Sequence, residues 1–120
     1  MGLHNLREIK VWQKAVNLAT VVYTAVSQFP VDERYGLTSQ MRRAAVSIAS
    51  NIGEGAGRNS DKEFIHFLGI AKGSSFELTT QLFISHRLEL INKEVLDDLL
   101  GKLDELQRMI HGFQHKLSRK

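Results

Sequence analysis

Cysteine is absent from the 120 residues, and proline and tryptophan occur once each. No stretch reaches the ~18 consecutive apolar residues of a membrane span. Without cysteine there is no disulfide, no thiolate metal site and no cysteine nucleophile, which excludes a stapled secreted scaffold and a zinc finger. The segment from Met1 to Glu8 lacks the unbroken apolar run of a signal peptide, so a cytoplasmic location with no membrane contact is expected. At 42% hydrophobic and 24% charged, the composition is that of an ordinary soluble globular domain, and the length predicts one domain over 1–120.

An excess of one charge sign is also missing from most of the chain. The formal net charge is +3, yet residues 106–120 hold Arg108, Lys116, Arg119 and Lys120 with no acid, and residues 1–105 carry 12 basic against 13 acidic side chains. The positive excess is therefore terminal. Cations are favourable beside the outward-pointing carbonyls of a helix C-terminus, and a nucleic-acid contact is the other use of such a run.

What is abundant is helical periodicity, which glycine and proline divide into four pieces. Trp12, Ala15, Val16, Ala19, Val22, Tyr23 and Val26 recur at three- and four-residue steps up to Phe29-Pro30, which predicts a helix over about 8–28. Leu37, Met41, Ala44, Ala45, Ile48, Ala49 and Ile52 predict a second over about 37–54, stopped by the glycines at 53, 55 and 57. Ser60 and Glu63 have capping-box spacing and open a third helix over 61–88. Asn92 is the N-cap of a fourth over 93–117, whose stripe includes Leu96, Leu99, Leu103, Leu106 and Ile110. Short connectors make neighbours antiparallel, so the expected fold is an all-α, up-down-up-down four-helix bundle.

Two helices carry more apolar surface than one bundle needs. In the third helix Ile65, Gly69, Phe76 and Phe83 form a second stripe about a quarter-turn from the main one; in the first, Val11, Leu18 and Ala25 repeat every seven residues on the flank. An oligomer is expected, with Val11, Leu18, Phe76 and Phe83 at its contacts.

Chemistry is sparse. The glycine-rich segment 53–57 follows a helix, whereas a nucleotide-binding loop follows a strand and opens a helix. Glu63 and His66 have the spacing of a di-iron ligand pair, but such sites need a second copy and two more glutamates. His111 and His115 lack an accompanying carboxylate. No metal or cofactor is expected, and no nucleophile and base are assembled, so the protein reads as a non-enzyme. A hairpin of the second and third helices would bring Arg42 or Arg43 to Glu77 and set Gln81 and Asn51 nearby, a polar network that fixes register.

The segments Gln40-Met41-Arg42-Arg43-Ala44-Ala45-Val46-Ser47-Ile48 and Gly73-Ser74 with Glu77-Leu78 and Thr80-Gln81-Leu82, together with Trp12, Tyr23, Phe29-Pro30 and Tyr35-Gly36-Leu37, resemble the 23S rRNA-intervening-sequence protein family. Gly53 stands where that family commonly has alanine, and Ala49 where it often has proline. The family is a bacterial set of small four-helix bundles, some encoded inside insertions in 23S rRNA genes, without established catalytic residues. It is similar to the accessory protein of diversity-generating retroelements, a pentameric barrel that assists a reverse transcriptase. The resemblance implies a homopentamer and a reverse transcriptase or other neighbour-encoded partner.

Two functions compete. In the first, a non-enzymatic scaffold binds RNA or DNA through Arg7, Lys10, Lys14, Arg108, Lys116, Arg119 and Lys120, a modest charge per subunit that oligomerisation multiplies. With no aromatic platform and no helix-turn-helix signature, such binding is expected to be electrostatic and weakly sequence-specific. In the second, the bundle is a protein-protein adaptor that binds no nucleic acid.

Overall fold

The computed structural model describes residues 4–119, most of them in four helices: α1 (Lys10–Val26), α2 (Leu37–Ala56), α3 (Asp61–Arg87) and α4 (Lys93–Ser118). Single 3-10 turns, Leu6–Glu8 and Val31–Glu33, precede α1 and α2, and no strand occurs among the described residues. No helix among them is long and apolar enough to cross a membrane.

Local chemistry sets each boundary. Ile9 is extended, so α1 begins at Lys10 rather than near residue 8. Pro30, which lacks an N–H, follows the turn after Val26. The Ser60 hydroxyl accepts from Glu63 N at 3.1 Å and donates to the Glu63 carboxylate at 3.2 Å, so the serine caps the helix while the glutamate holds the hydroxyl rather than the cap N–H. Asn92 Oδ1 likewise accepts from Val95 N at 2.8 Å. At the end of α3, Leu90 N donates to Ser85 O and Glu89 N to His86 O, the Schellman pattern, with Glu89 at φ 61° where glycine is usual. Helix α2 does not stop at Gly53 but runs through Gly55 to Ala56.

Residues paired across each interface run in opposite directions. Between α2 and α3, Met41 meets Ser85, Ser47 meets Ser74 and Gly55 meets Phe64. Between α3 and α4, Thr79 meets Gln107, Lys72 meets His111 and Phe64 meets Phe113. Tyr23 meets Arg42, and Trp12 packs near Gly53, between α1 and α2. Lys14 to Glu105 joins α1 to α4 and closes the ring. The result is an antiparallel up-down-up-down rod, 46 × 23 × 20 Å.

The core is mainly aliphatic, with Phe29 and Phe64 its buried aromatic members. Val11, Ala15, Leu18, Val22 and Val26 face Met41, Ala45, Ile48 and Ile52, and Phe64, Leu68, Leu78 and Leu82 face Leu99, Leu103, Leu106 and Ile110. Each large side chain so buried contributes about 1.5–3 kcal/mol relative to exposure. This corrects one expectation: Val11 and Leu18 are 3% and 2% exposed and belong to the monomer core, not to a subunit contact. The buried stripe of α1 is rotated by about 90° from the direction of Trp12, Val16 and Ala19, taking 100° per residue. Those three are only half-buried, because α1 packs between α2 and α4 and the packing, not the apolar count, chooses the centre of a broad face.

Candidate functional site

The antiparallel order places the 3-10 turn and the start of α1 beside the last turns of α4. Lys14 pairs with Glu105 at 3.3 Å, and the His4 ring lies 6.5 Å from that of Phe113. Arg7, Lys10, Arg108, Lys116 and Arg119 are thus gathered at one end of the rod, all exposed and none in an ion pair among the described residues. Lys14 is the exception, its charge shared with Glu105. Lys120 lies outside the described residues. Glu8, Asp61 and Glu63 share this end, so the excess is positive but not uniform.

A second cationic cluster was not anticipated. On the α1–α2 side, toward the opposite end, a groove of about 510 Å³ is lined by Tyr23, Arg34, Tyr35, Ser39, Arg42, Arg43, Val46 and Ser47. Arg42 stacks on Tyr23, with 4.9 Å from its guanidinium carbon to the ring centre, and its Nε is buried without a hydrogen-bond partner. Arg43 donates to Gln40 at 2.8 Å. Tyr35 is 89% exposed. The sequence offers a cue, two tyrosines and three arginines within residues 23–43, but the tyrosines lie on different elements and only the α1–α2 pairing brings them together.

That geometry overturns the expected contact of Arg42 or Arg43 with Glu77. The α2–α3 hairpin forms, but its register and helical phase differ from the expected ones: at the level of Arg42 it is Ser85 that faces α2, through Met41, and Arg42 turns toward α1 and Arg43 toward Gln40. Exposed Glu77 receives only a long 3.4 Å bond from Gln81, whose Oε1 is buried without a protein partner. Of the expected network between α2 and α3, Asn51 takes part, joined by Ser47 and Ser74. The Ser47 and Ser74 hydroxyls meet at 2.9 Å, and Asn51 Nδ2 donates to both the carbonyl and the hydroxyl of Ser47.

Helix α3 carries exposed apolar side chains on two flanks. Phe76 and Phe83 are 52% and 47% exposed on the flank toward α4, and Ile70 and Ile84 are exposed on the flank toward α2. Among the described residues no three His, Asp or Glu side chains cluster as a metal site requires. The Lys72 ammonium lies 3.4 Å from His111 Nδ1, and Glu63 is engaged by Ser60.

The sequence model of the 23S rRNA-intervening sequence proteins matches residues 7–112. The chain belongs to that family. The two segments that carry the resemblance, around Ala44-Ala45 and around Ser74, are those that meet across α2 and α3 through Ser47 and Ser74. Six chains of solved structures match. One is a protein of unknown function from the S23 ribosomal protein family of Bacteroides thetaiotaomicron, with a TM-score of 0.76 and 24% identity over 87% of this chain and 97% of that one, a likeness of fold. No curated protein matches. Of the family's departures in this chain, Gly53 is tolerated inside α2 beside the Trp12 indole, at ordinary van der Waals distance for an added Cβ, and Ala49 continues the helix without the break a proline would make.

Proposed function

We propose that this family member is a non-enzymatic oligomeric scaffold, a homopentamer by family resemblance, that binds nucleic acid through phosphate contacts at the basic end of the bundle. The observation that carries the reading is the gathering of Arg7, Lys10, Arg108, Lys116 and Arg119 at one end with no ion-pair partner among the described residues. Ion pairing would neutralise these cations internally; unpaired, they are available to displace counterions from a phosphate backbone. Multiplied by oligomerisation, the charge reaches a density that one subunit lacks. The α3 flank carrying Phe76 and Phe83 supplies the apolar surface for subunit contact. The scaffold would serve a nucleic-acid-processing enzyme in the cytoplasm, a reverse transcriptase or another protein encoded nearby.

The test is a titration of duplex DNA or RNA with the wild type and with a variant carrying Lys10→Gln, Arg108→Gln, Lys116→Gln and Arg119→Gln, at two salt concentrations. Wild-type affinity should fall steeply with salt, and every phosphate-binding cation removed should reduce the log–log slope by about 0.9. A wild type that does not bind at low salt, or a variant with unchanged affinity and slope, removes this reading and leaves the protein-protein adaptor, which the exposed apolar side chains of α3 also suit.

A further inference from the structure

The groove between α1 and α2 is separate from the basic end and has a different chemical character. Three arginines line it and no carboxylate does. Like the cations of the basic end, and unlike Lys14, Arg58, Lys93 and Lys102, which each pair with an acid within 3.3 Å, Arg34, Arg42 and Arg43 form no ion pair among the described residues. Three neighbouring guanidiniums repel one another. Such a grouping favours an anionic ligand.

Arg42 is also pre-positioned. Its stack on Tyr23 and the burial of its Nε fix the side chain against the bundle, so less rotamer entropy is lost when a ligand is bound. Beside it stands Tyr35, 89% exposed in the turn before α2, an aromatic ring that the fold leaves outside any core. The hydroxyls of Ser39 and Ser47 complete the lining, while the positive end of the α2 dipole is met by the Glu33 carboxylate, which accepts from Leu37 N at 3.3 Å.

Guanidiniums match phosphate oxygens in fork geometry, and an exposed aromatic ring matches the face of a base. A duplex hides its base faces in the stack; a single strand offers them. We propose that the groove is a binding site for single-stranded nucleic acid, with backbone phosphates on Arg34, Arg42 and Arg43 and a base stacked on Tyr35. The site stands independently of the basic end: one reads bases by stacking, the other reads only phosphate charge.

The experiment measures anisotropy of a labelled oligo(dT) of about fifteen nucleotides and of a duplex of the same length, with the wild type, Tyr35→Ala, Tyr35→Phe, Arg34→Gln and the four-site basic-end variant. Residues 34 and 35 are exposed in a turn, so these variants keep the fold; circular dichroism verifies it. Tyr35→Ala should weaken oligo(dT) binding about tenfold while leaving the duplex unchanged, and Tyr35→Phe should restore most of the loss. Arg34→Gln should reduce the oligo(dT) salt slope by about 0.7. The basic-end variant should lose duplex binding yet retain its sensitivity to Tyr35→Ala on the single strand. No oligo(dT) binding by the wild type, equal binding by wild type and Tyr35→Ala, or equal losses on both ligands overturns the proposal.

Discussion

Gly55 in α2 and Phe64 in α3 approach so closely that a Cβ added to the glycine would stand 2.8 Å from Phe64 Cδ1, and another 2.8 Å contact would form with Phe67 Cβ. Both phenylalanines sit in the first two turns of a capped helix and cannot simply swing away. Gly55→Ala should therefore lose about 1 kcal/mol, because overpacking at about 1–3 kcal/mol exceeds the ~1 kcal/mol gained in helix propensity. Gly101 lies inside α4 with open space around it, and Gly101→Ala should gain about 0.5–1 kcal/mol. Urea midpoints decide; a shift in the same direction for both would show that contact at Gly55 is not limiting.

Glu89 occupies the left-handed position of the α3 Schellman turn at φ 61°. An L side chain there costs about 1–2 kcal/mol, part of which glycine returns in greater chain entropy. Glu89→Gly is expected to raise stability by about 1 kcal/mol, whereas Glu89→Ala should not. Thermal unfolding of the two variants separates backbone strain from any effect of the carboxylate.

Asn51 and Glu77 should respond differently to substitution. Asn51→Ala removes two bonds to Ser47 and should cost about 1 kcal/mol. Exposed Glu77 makes one long contact, and Glu77→Gln should stay within about ±0.5 kcal/mol of the wild type. A loss near 3 kcal/mol for Glu77→Gln would instead signal a buried charge pair in solution.

Core and surface positions should separate in assembly measurements. Val11→Ala creates a cavity and should cost about 2 kcal/mol without altering the oligomer. Phe76→Ser with Phe83→Ser should leave stability of the subunit nearly unchanged and shift light-scattering mass toward the 13.6 kDa monomer. A wild type that is already monomeric at micromolar concentration ends the oligomer proposal.

Local sequence determined the four helices, because the signals involved are local: three- and four-residue apolar spacing, Ser60 with Glu63, Asn92, and Pro30 each act within a turn or two of themselves. Short connectors then left little choice but antiparallel neighbours. The rotation of each helix about its own axis was not so determined. It depends on which side chains of two neighbours interlock, and a broad apolar face such as that of α1 accepts more than one answer until α2 and α4 are in place. Hence Val11 and Leu18 turned inward, and Arg42 turned away from Glu77 onto Tyr23. The same rotation assembled the Tyr23, Arg34, Tyr35, Arg42 and Arg43 groove from different elements, and kept Gly55 as the point where two helices nearly touch rather than as a stop signal. Helix content is a local free-energy balance; helix phase is a collective property of the packed core, and only the tertiary structure decides it.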